Sequence, residues 1–497
     1  MPEPHVIALD LGTSSVRAMV FDLRGAAVEG LKAQAETGLR TDASGAAEMD
    51  PGRLVDLAAG CLDQVLDRAR GVPIAAVGVC TFWHSMAGVD SAGRAVTPIY
   101  TWADGRPAEA ARELARQLDP AAVHARTGCA LHPSYFPARL RWLRQDRPDL
   151  WQRVHRWASP GELLFMRLFG QAACSLSMAS GTGLLDQNTC RWVPEMLVAS
   201  GITARQLGTL DDSPARGLRS EWARRWPALA DVPWVPAIGD GAASNLGSGC
   251  ATERRMAVNL GTSGAIRVLW RAERVEIPPD LWCYRLDDRR PIMGAAFSDG
   301  GDALAWARRT LALPALPALL EQIAVRPADC HGLTFLPFLA GERSIGWRPH
   351  ARATLHGLSA STTAVDVAQA VMEAVALRFR LAAEALHRQF PAVEEVVLSG
   401  GAFARAPIWA RMIADSLGRP VRLSDESEAS SRGAALGALR TAALLPDEAQ
   451  AETRLGPPIE PDPGRTAALA AALERQQALY LRLLEEEASR PRNCPPW

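Results

Sequence analysis

Residues Asp10 to Arg17 read DLGTSSVR, and residues Asn259 to Arg267 read NLGTSGAIR. Each phrase follows a short apolar run, VIAL in the first case and MAV in the second, and each leads into another. Four shared letters are close to a chance expectation in a chain of 497 residues. Their common setting carries more weight: an apolar strand, a glycine turn and a second strand, written twice about half a chain apart.

Outward from the first copy, HVIALDLGTSSVRAMVFDLRGAAV (5–28) reads as a β-meander, with a strand ending near Asp10, a GTSS turn, the alternating run VRAMVFD and a turn at DLRG. A helix follows, with Asp50 as N-cap and Pro51 at its first position. IAAVGVC is a buried strand that delivers TFWHS at its end, and GVDSAGRAV is a hairpin. From Leu114 to Trp226 the pattern is mostly helical, with loops. VPWVPAIGDGAASNLGSG then runs an apolar segment into a glycine-rich turn centred on Asp240, and the order restarts with MAVNLGTSGAIRVLW. A long helix begins at Thr362 or Thr363 as N-cap, with Val367, Val371 and Val375 on one face. VEEVVLSGGAFARAPIWARMIADSLGRPVRL reads strand, Gly-Gly turn, helix, glycine cap and strand. ASSRGAALGALRTAALL is a helix of small residues suited to close packing. Residues 457–463 read as a linker before a final amphipathic helix. The alternation of strands and helices makes the fold α/β. Two halves, each opened by a strand–GTS–strand hairpin, divide near residue 245, giving domains 1–245 and 246–497.

Composition narrows the function. Hydrophobic content of 48% and charged content of 22% suit a globular protein with a full core. A net charge of -1 offers no footprint for nucleic acid or an anionic membrane. No run of about 18 apolar residues reads as a membrane span, and the N-terminus MPEPHVIALD does not read as a signal peptide. Nine cysteines without a CxxC pair suit reduced thiols and a cytoplasmic location. Lys32 is the only lysine, and LKAQ is not the GxxxxGK[ST] of a P-loop. Nucleotide handling by this chain therefore requires another device.

The glycine turns offer one. A Gly-Thr-Ser turn between strands exposes backbone N–H groups and hydroxyls on one side, a nest for phosphate oxygens, and glycine permits close approach. Asp10 repels phosphate unless a Mg²⁺, directly or through its waters, lies between them. Arg17 adds a charge-assisted contact. Asn259 replaces the aspartate in the second copy, so only the first hairpin offers charge to a metal. Two ordinary tight hairpins are the plainer alternative. Asp240, flanked by glycines, has the setting of a base that accepts a proton from a hydroxyl in phosphoryl transfer; an Asx-turn or helix N-cap is the plainer alternative there. His84 and Ser85 in TFWHS, and Trp102, Asp104 and Arg106 in TWADGR, provide an aromatic face and polar forks suited to a carbohydrate. They read equally well as core anchors and satisfied hydrogen bonders. Gly300 and Gly301 in FSDGGDALAW and Gly400 and Gly401 in LSGGAFAR are glycine pairs able to face a flat ligand or a phosphate, or simple turns.

The constellation resembles the FGGY carbohydrate kinases, within the group sharing the two-lobed actin-like ATPase (ribonuclease H-like) fold. The likeness runs from Val6 to about Leu445. IALDLGTSSVRAMVFD is similar to the family's first phosphate motif, VNLGTSGAIRVL to its second and LSGGAFAR to its adenosine motif. In the C-terminal signature, Ala353, Leu355, Gly357, Leu358, Asp366, Val367, Ala370 and Glu373 fall where the family has them. The resemblance implies duplicated domains with an interlobe cleft and Mg-ATP as cofactor. It implies Asp240 as the general base and Asp10 as the organiser of Mg²⁺. Gly12, Thr13, Ser14 and Arg17 would surround the phosphates, with Gly261, Thr262 and Ser263 reaching them from the second domain. Gly301, Gly400, Gly401 and Ala402 would line the nucleoside, and His84, Ser85, Trp102, Asp104 and Arg106 the sugar. Within the family the chain looks most like the gluconate kinases, through WHSMAGVD, TPIYTWADGR, IGDGAASNLGSG and PFLAGERSIGW. That implies D-gluconate as substrate, with xylulose, ribulose or another polyol as the alternative. Three departures stand out: Arg405 occupies a position where asparagine is common near the adenine, Arg139 replaces the usual lysine of the N-terminal signature, and FWHS is bulkier than usual before the histidine. A chaperone-like ATPase or a sugar sensor of the same fold would need a peptide-binding domain or a helix-turn-helix, and neither is read here. A homodimer is left open.

Overall fold

The computed structural model describes residues 3–489. The chain forms two compact units. One comprises Met1–Thr252, Leu269–Met293 and Glu428–Thr453, and the other Glu253–Val268, Gly294–Ser427 and Arg454–Trp497. The segments 269–293 and 428–453, which a single cut near residue 245 assigns to the second half, thus pack with the first.

In the first unit a five-stranded sheet runs in the order Trp234–Gly239, Ile74–Thr81, His5–Leu11, Ser15–Phe21, Ala27–Glu36. The first three strands are parallel, and the last two continue as the antiparallel meander. Register places Asp10 beside Cys80 on one side and Arg17 on the other, and Gly239 beside Thr81. The parallel strands therefore end level, and the segments that leave their C-terminal ends emerge together. On one face, the Pro51–Arg68 helix buries Leu54, Val55, Ala58, Leu62 and Val65. Asp50 caps it by accepting the Arg53 N–H, as its sequence suggests. On the other face, Ala434, Ala435, Leu436, Ala438 and Leu439 of the Ala429–Thr441 helix pack on Val6, Ala8, Met19, Phe21 and Ala76. Small residues permit this. A Cβ on Gly78 would sit 2.0 Å from the Ala434 carbonyl oxygen, one on Gly433 1.8 Å from that of Ala243, and one on Gly247 1.8 Å from that of Ala429.

The second unit repeats the pattern. Arg255–Leu260 pairs antiparallel with Gly264–Leu269 and parallel with Glu395–Ser399, which pairs parallel with Val421–Ser424. The long helix is Ala364–Gln389, capped by Thr363 in a reciprocal box with Asp366, and Val367, Val371 and Val375 are buried as their spacing implies. The reading of 457–463 as linker is corrected at its start: Leu455–Ile459 is a strand, antiparallel to Val421–Ser424. This strand is the edge of its sheet, where prolines are best tolerated because one side of the strand needs no ladder hydrogen bonds, and its pairing is irregular between Arg422 and Ser424. No described helix is long and apolar enough to cross a membrane.

Candidate active site

Three parallel strands of the first unit deliver its polar groups at their C-terminal ends, the usual ligand side of such a sheet. Asp10 lies in the first hairpin and is 4% exposed. Its Oδ2 accepts from Arg17 Nη1 at 3.4 Å and from Ser431 Oγ at 3.5 Å. Burial pushes its carboxyl up to about 6; Arg17 opposes the shift, while the charges of Asp240 and Glu428 add to it. Glu428 in turn pairs with Lys32 and lies 3.4 Å from Arg17 Nε. The turn itself is tight: Gly12 N–H donates to the Ser15 carbonyl at 3.0 Å, and the Thr13 and Ser14 carbonyls are held by Thr37 Oγ1 and Thr37 N–H at 2.5 and 3.2 Å. Three carboxylates, Asp10, Asp240 and Glu428, thus gather near one Gly-Thr-Ser turn with the cations Arg17 and Lys32 among them.

A buried carboxylate whose folded pKa exceeds its unfolded value of 3.8 holds its proton more tightly in the fold. Stability contributed by Asp10 therefore falls as pH rises from about 4 to about 6 and stays lower above. We expect Asp10→Asn to be more stable than the parent at pH 8, by about 3 kcal/mol, with the gain shrinking to about 1 kcal/mol at pH 4.5. Thermal melts at both pH values check this, and a less stable variant at pH 8 would refute it.

Asp240 is the first residue of the Asp240–Gly247 helix, directly after the Trp234–Gly239 strand, and its Oδ1 accepts the Gly241 N–H at 2.7 Å. The backbone before it is fixed from two sides. Ser177 Oγ accepts the Gly239 N–H at 3.0 Å, and the Trp83 ring lies where a Gly239 Cβ would be, 1.9 Å away.

TFWHS leaves the Ile74–Thr81 strand beside it. His84 adopts φ of +60°, a conformation costly for a non-glycine residue and typical of functional positions. Its Nδ1–H donates to the Gly181 carbonyl at 2.5 Å, and its ring is edge-on to Tyr135 and Tyr284. The hydroxyls of those two tyrosines lie 2.6 Å apart, and Trp282 stacks on Tyr284 at 4.3 Å. Ser85 Oγ donates to the Trp83 carbonyl and accepts the Trp102 N–H, both at 3.1 Å. Arg139 is fully buried and ties these loops together. Its Nη1 donates to the His84 carbonyl at 2.5 Å, and its Nη2 to the carbonyls of Thr101, Ser134 and Pro133 at 2.9, 3.1 and 3.3 Å. Asp104 and Arg106 engage each other. Arg106 Nε donates to Asp104 Oδ1 at 3.0 Å, Arg106 Nη2 reaches Asp104 Oδ2 at 2.5 Å and Glu48 Oε1 at 2.6 Å, and the guanidinium stacks 4.7 Å over Trp142. His84, Ser85, Trp102, Asp104 and Arg106 stand out in the sequence through their loops. Trp282, Tyr284 and Glu428 were missed there, because no local motif marks them.

In the second unit, Gly261 N–H donates to the Ser263 carbonyl at 3.0 Å, closing a turn one residue shorter than that of the first hairpin, where Gly12 reaches Ser15. Gly301 N–H donates to the Gly261 carbonyl at 2.8 Å and Asp302 N–H to that of Thr262 at 3.2 Å, joining the turn to the Gly301–Thr310 helix. Gly400 has φ of +111°, and a Cβ there would meet the Leu260 carbonyl at 2.4 Å. Asn259 Nδ2 donates to Ser399 Oγ at 3.2 Å. A pocket of about 400 Å³ opens beside these glycines, lined by Thr262, Gly301, Leu304, Ala402, Arg405 and Trp409 among others. That size suits a small molecule.

One other group has metal-type spacing among the described residues: Asp329, His331 and Glu373. The Leu333 N–H occupies His331 Nδ1 at 2.9 Å, so the ring proton sits on Nε2, which donates to Glu373 at 3.1 Å, and Arg475 holds both oxygens of Asp329. The imidazole has no lone pair left for a cation.

Two α/β units, each built on a strand–glycine turn–strand hairpin, define the architecture of the actin-like ATPases. The chain belongs to the FGGY family of carbohydrate kinases: the family's N-terminal domain matches residues 5–247 and its C-terminal domain residues 256–442. It is thus an ATP-dependent carbohydrate kinase, as the quoted motifs implied. It is 27% identical to a gluconokinase of Bacillus subtilis over 446 residues, 87% of this chain and 86% of that protein. It is 28% identical to a xylulose kinase of Escherichia coli over 490 residues, 96% of this chain and 99% of that protein. A crystal structure of gluconate kinase from Lactobacillus acidophilus matches with a TM-score of 0.90 at 24% identity, over 97% of this chain and 98% of that one.

Proposed function

We propose that this chain transfers the γ-phosphoryl group of ATP to a hydroxyl of a small sugar acid, D-gluconate first, giving 6-phosphogluconate. The observation that carries the reading is the convergence of Asp10, Asp240 and TFWHS at the level ends of three parallel strands. In the proposed reaction the substrate hydroxyl attacks the γ-phosphorus, its proton passes to the Asp240 carboxylate, and ADP leaves. His84, Ser85, Trp102, Asp104 and Arg106 position the sugar. In the first unit Gly12, Thr13, Ser14 and Arg17 are the phosphate contacts; in the second, Gly261, Thr262 and Ser263 are phosphate contacts and Gly301, Gly400, Gly401 and Ala402 line the nucleoside. The donor set fits Mg²⁺, since Asp10 supplies a hard oxygen whose proton affinity is raised by burial and, to a lesser degree, by neighbouring carboxylates. Bound there, Mg²⁺ would neutralise phosphate charge.

A neutral pentulose is the second reading, and one observation favours it: Arg106 is already engaged by Asp104 and Glu48, which leaves it poorly placed to pair with a substrate carboxylate. ADP release at fixed MgATP, measured across D-gluconate, xylulose, ribulose and glycerol, tests both. We expect kcat/KM to be highest for D-gluconate. A higher value for xylulose would replace the first reading with the second, and turnover independent of any sugar would overturn the kinase reading in favour of a chaperone-like ATPase.

A further inference from the structure

The one lysine of the chain sits in a row of alternating charges that ends at the first Gly-Thr-Ser turn. Lys32 Nζ donates to Glu428 Oε1, Glu428 Oε2 lies 3.4 Å from Arg17 Nε, and Arg17 Nη1 lies 3.4 Å from Asp10 Oδ2. Strand register brings these groups together. Asp10 stands opposite Arg17 and Met19 opposite Lys32, so all four side chains share one face of the meander, the face on which the Ala429–Thr441 helix packs. Glu428 directly precedes that helix, and its side chain caps no N–H there. Its carboxylate is given to the two cations instead.

The cations do not hold it equally. Lys32 hydrogen-bonds Glu428, whereas Arg17 meets it only as a loose ion pair, and the buried Arg17 Nε makes no hydrogen bond. The one protein acceptor that Arg17 reaches is Asp10, at 3.4 Å. Arg17 is thus close to two carboxylates and tightly bound by neither. Without Lys32, Glu428 would lose its hydrogen-bonding cation, and the nearest replacement is Arg17. Arginine and carboxylate readily form two parallel bonds, and such a pair would take the guanidinium away from any other anion. It would also leave Asp10 and Glu428 facing a single cation, an excess of negative charge beside a turn suited to phosphate.

We propose that Lys32 is a positioning residue for phosphoryl transfer: by holding Glu428 it keeps that carboxylate from capturing Arg17, whose donors stay available to phosphate. The role rests on the phosphate contact proposed for Arg17 above. The full-length chain and its variants are titrated calorimetrically with MgATP alone, and initial rates are measured with MgATP and sugar varied in turn. Lys32→Met is expected to weaken MgATP binding and raise its KM about fivefold or more, to leave the KM for sugar within about twofold, and to leave the melting temperature within about 3 °C. Lys32→Arg keeps the charge and should stay near the parent. Adding Glu428→Gln to Lys32→Met should recover most of the loss, because an amide has no charge with which to draw Arg17 away. Unchanged MgATP binding in Lys32→Met, no recovery in the double variant, or an equal rise in both KM values would overturn the role. Arg17→Met tells the failures apart. If it leaves MgATP binding intact, the phosphate contact of Arg17 falls and the role of Lys32 with it. If it weakens MgATP binding and Lys32→Met does not, only the assignment of Lys32 falls.

Discussion

Asp240→Asn is expected to lower kcat by about three orders of magnitude while the protein stays folded and still binds nucleotide. Positioned proton transfer is worth about 10²–10⁴-fold, and asparagine removes the basic oxygen while keeping the shape. The local structure should survive, because the Gly241 N–H still finds an amide oxygen where it now meets Asp240 Oδ1 at 2.7 Å. Gly239 also remains fixed by Ser177 and Trp83. Three measurements separate chemistry from damage: single-turnover phosphorylation, titration calorimetry with ATP, and the melting temperature. Full activity in the variant would remove Asp240 from the base role. A parallel loss of melting temperature would mean that the residue acts through the fold.

Gly433→Val is expected to destabilise the first unit by about 3 kcal/mol or more and to leave little soluble protein. The Asp240–Gly247 and Ala429–Thr441 helices touch backbone to backbone, and a Cβ at Gly433 would stand 1.8 Å from the Ala243 carbonyl oxygen. A side chain can rotate away, but a helical carbonyl cannot, so the helices would have to separate. Gly437, one turn further along the same helix, has open space for 4 Å around the position a Cβ would take. Gly437→Ala should therefore be tolerated and gain up to about 1 kcal/mol of helix propensity. Melting temperatures of the pair check the packing argument internally, since both substitutions change the same helix and only one meets backbone.

What was legible in the sequence was local. The meander around DLGTSSVR, the Asp50 and Thr363 caps, the glycine turns and the long helix all follow from periodicity and turn chemistry within a few residues. The two hairpins differ where Asn259 stands in place of Asp10: the aspartate is buried near further carboxylates, whereas the asparagine hydrogen-bonds Ser399. What was not legible comes from chain topology. Glu428 meets Lys32 across 396 positions of the chain, and Tyr284 meets Tyr135 across 149. Arg139 was noted only as a replacement for lysine, although its guanidinium bonds four carbonyls from three separate segments. Pro457 and Pro458 signalled a linker, and only their place at a sheet edge makes a strand of them.

The Ala429–Thr441 helix covers one face of the sheet that begins at His5. During synthesis the strands carrying Asp10, Cys80 and Gly239 leave the ribosome long before that helix does. Until it arrives, Val6, Ala8 and Ala76 have no cover on that side, and Asp10 lacks the hydroxyl of Ser431. The first unit therefore cannot mature as a vectorial early product. Asp10 reaches its final environment only when nearly the whole polypeptide is present.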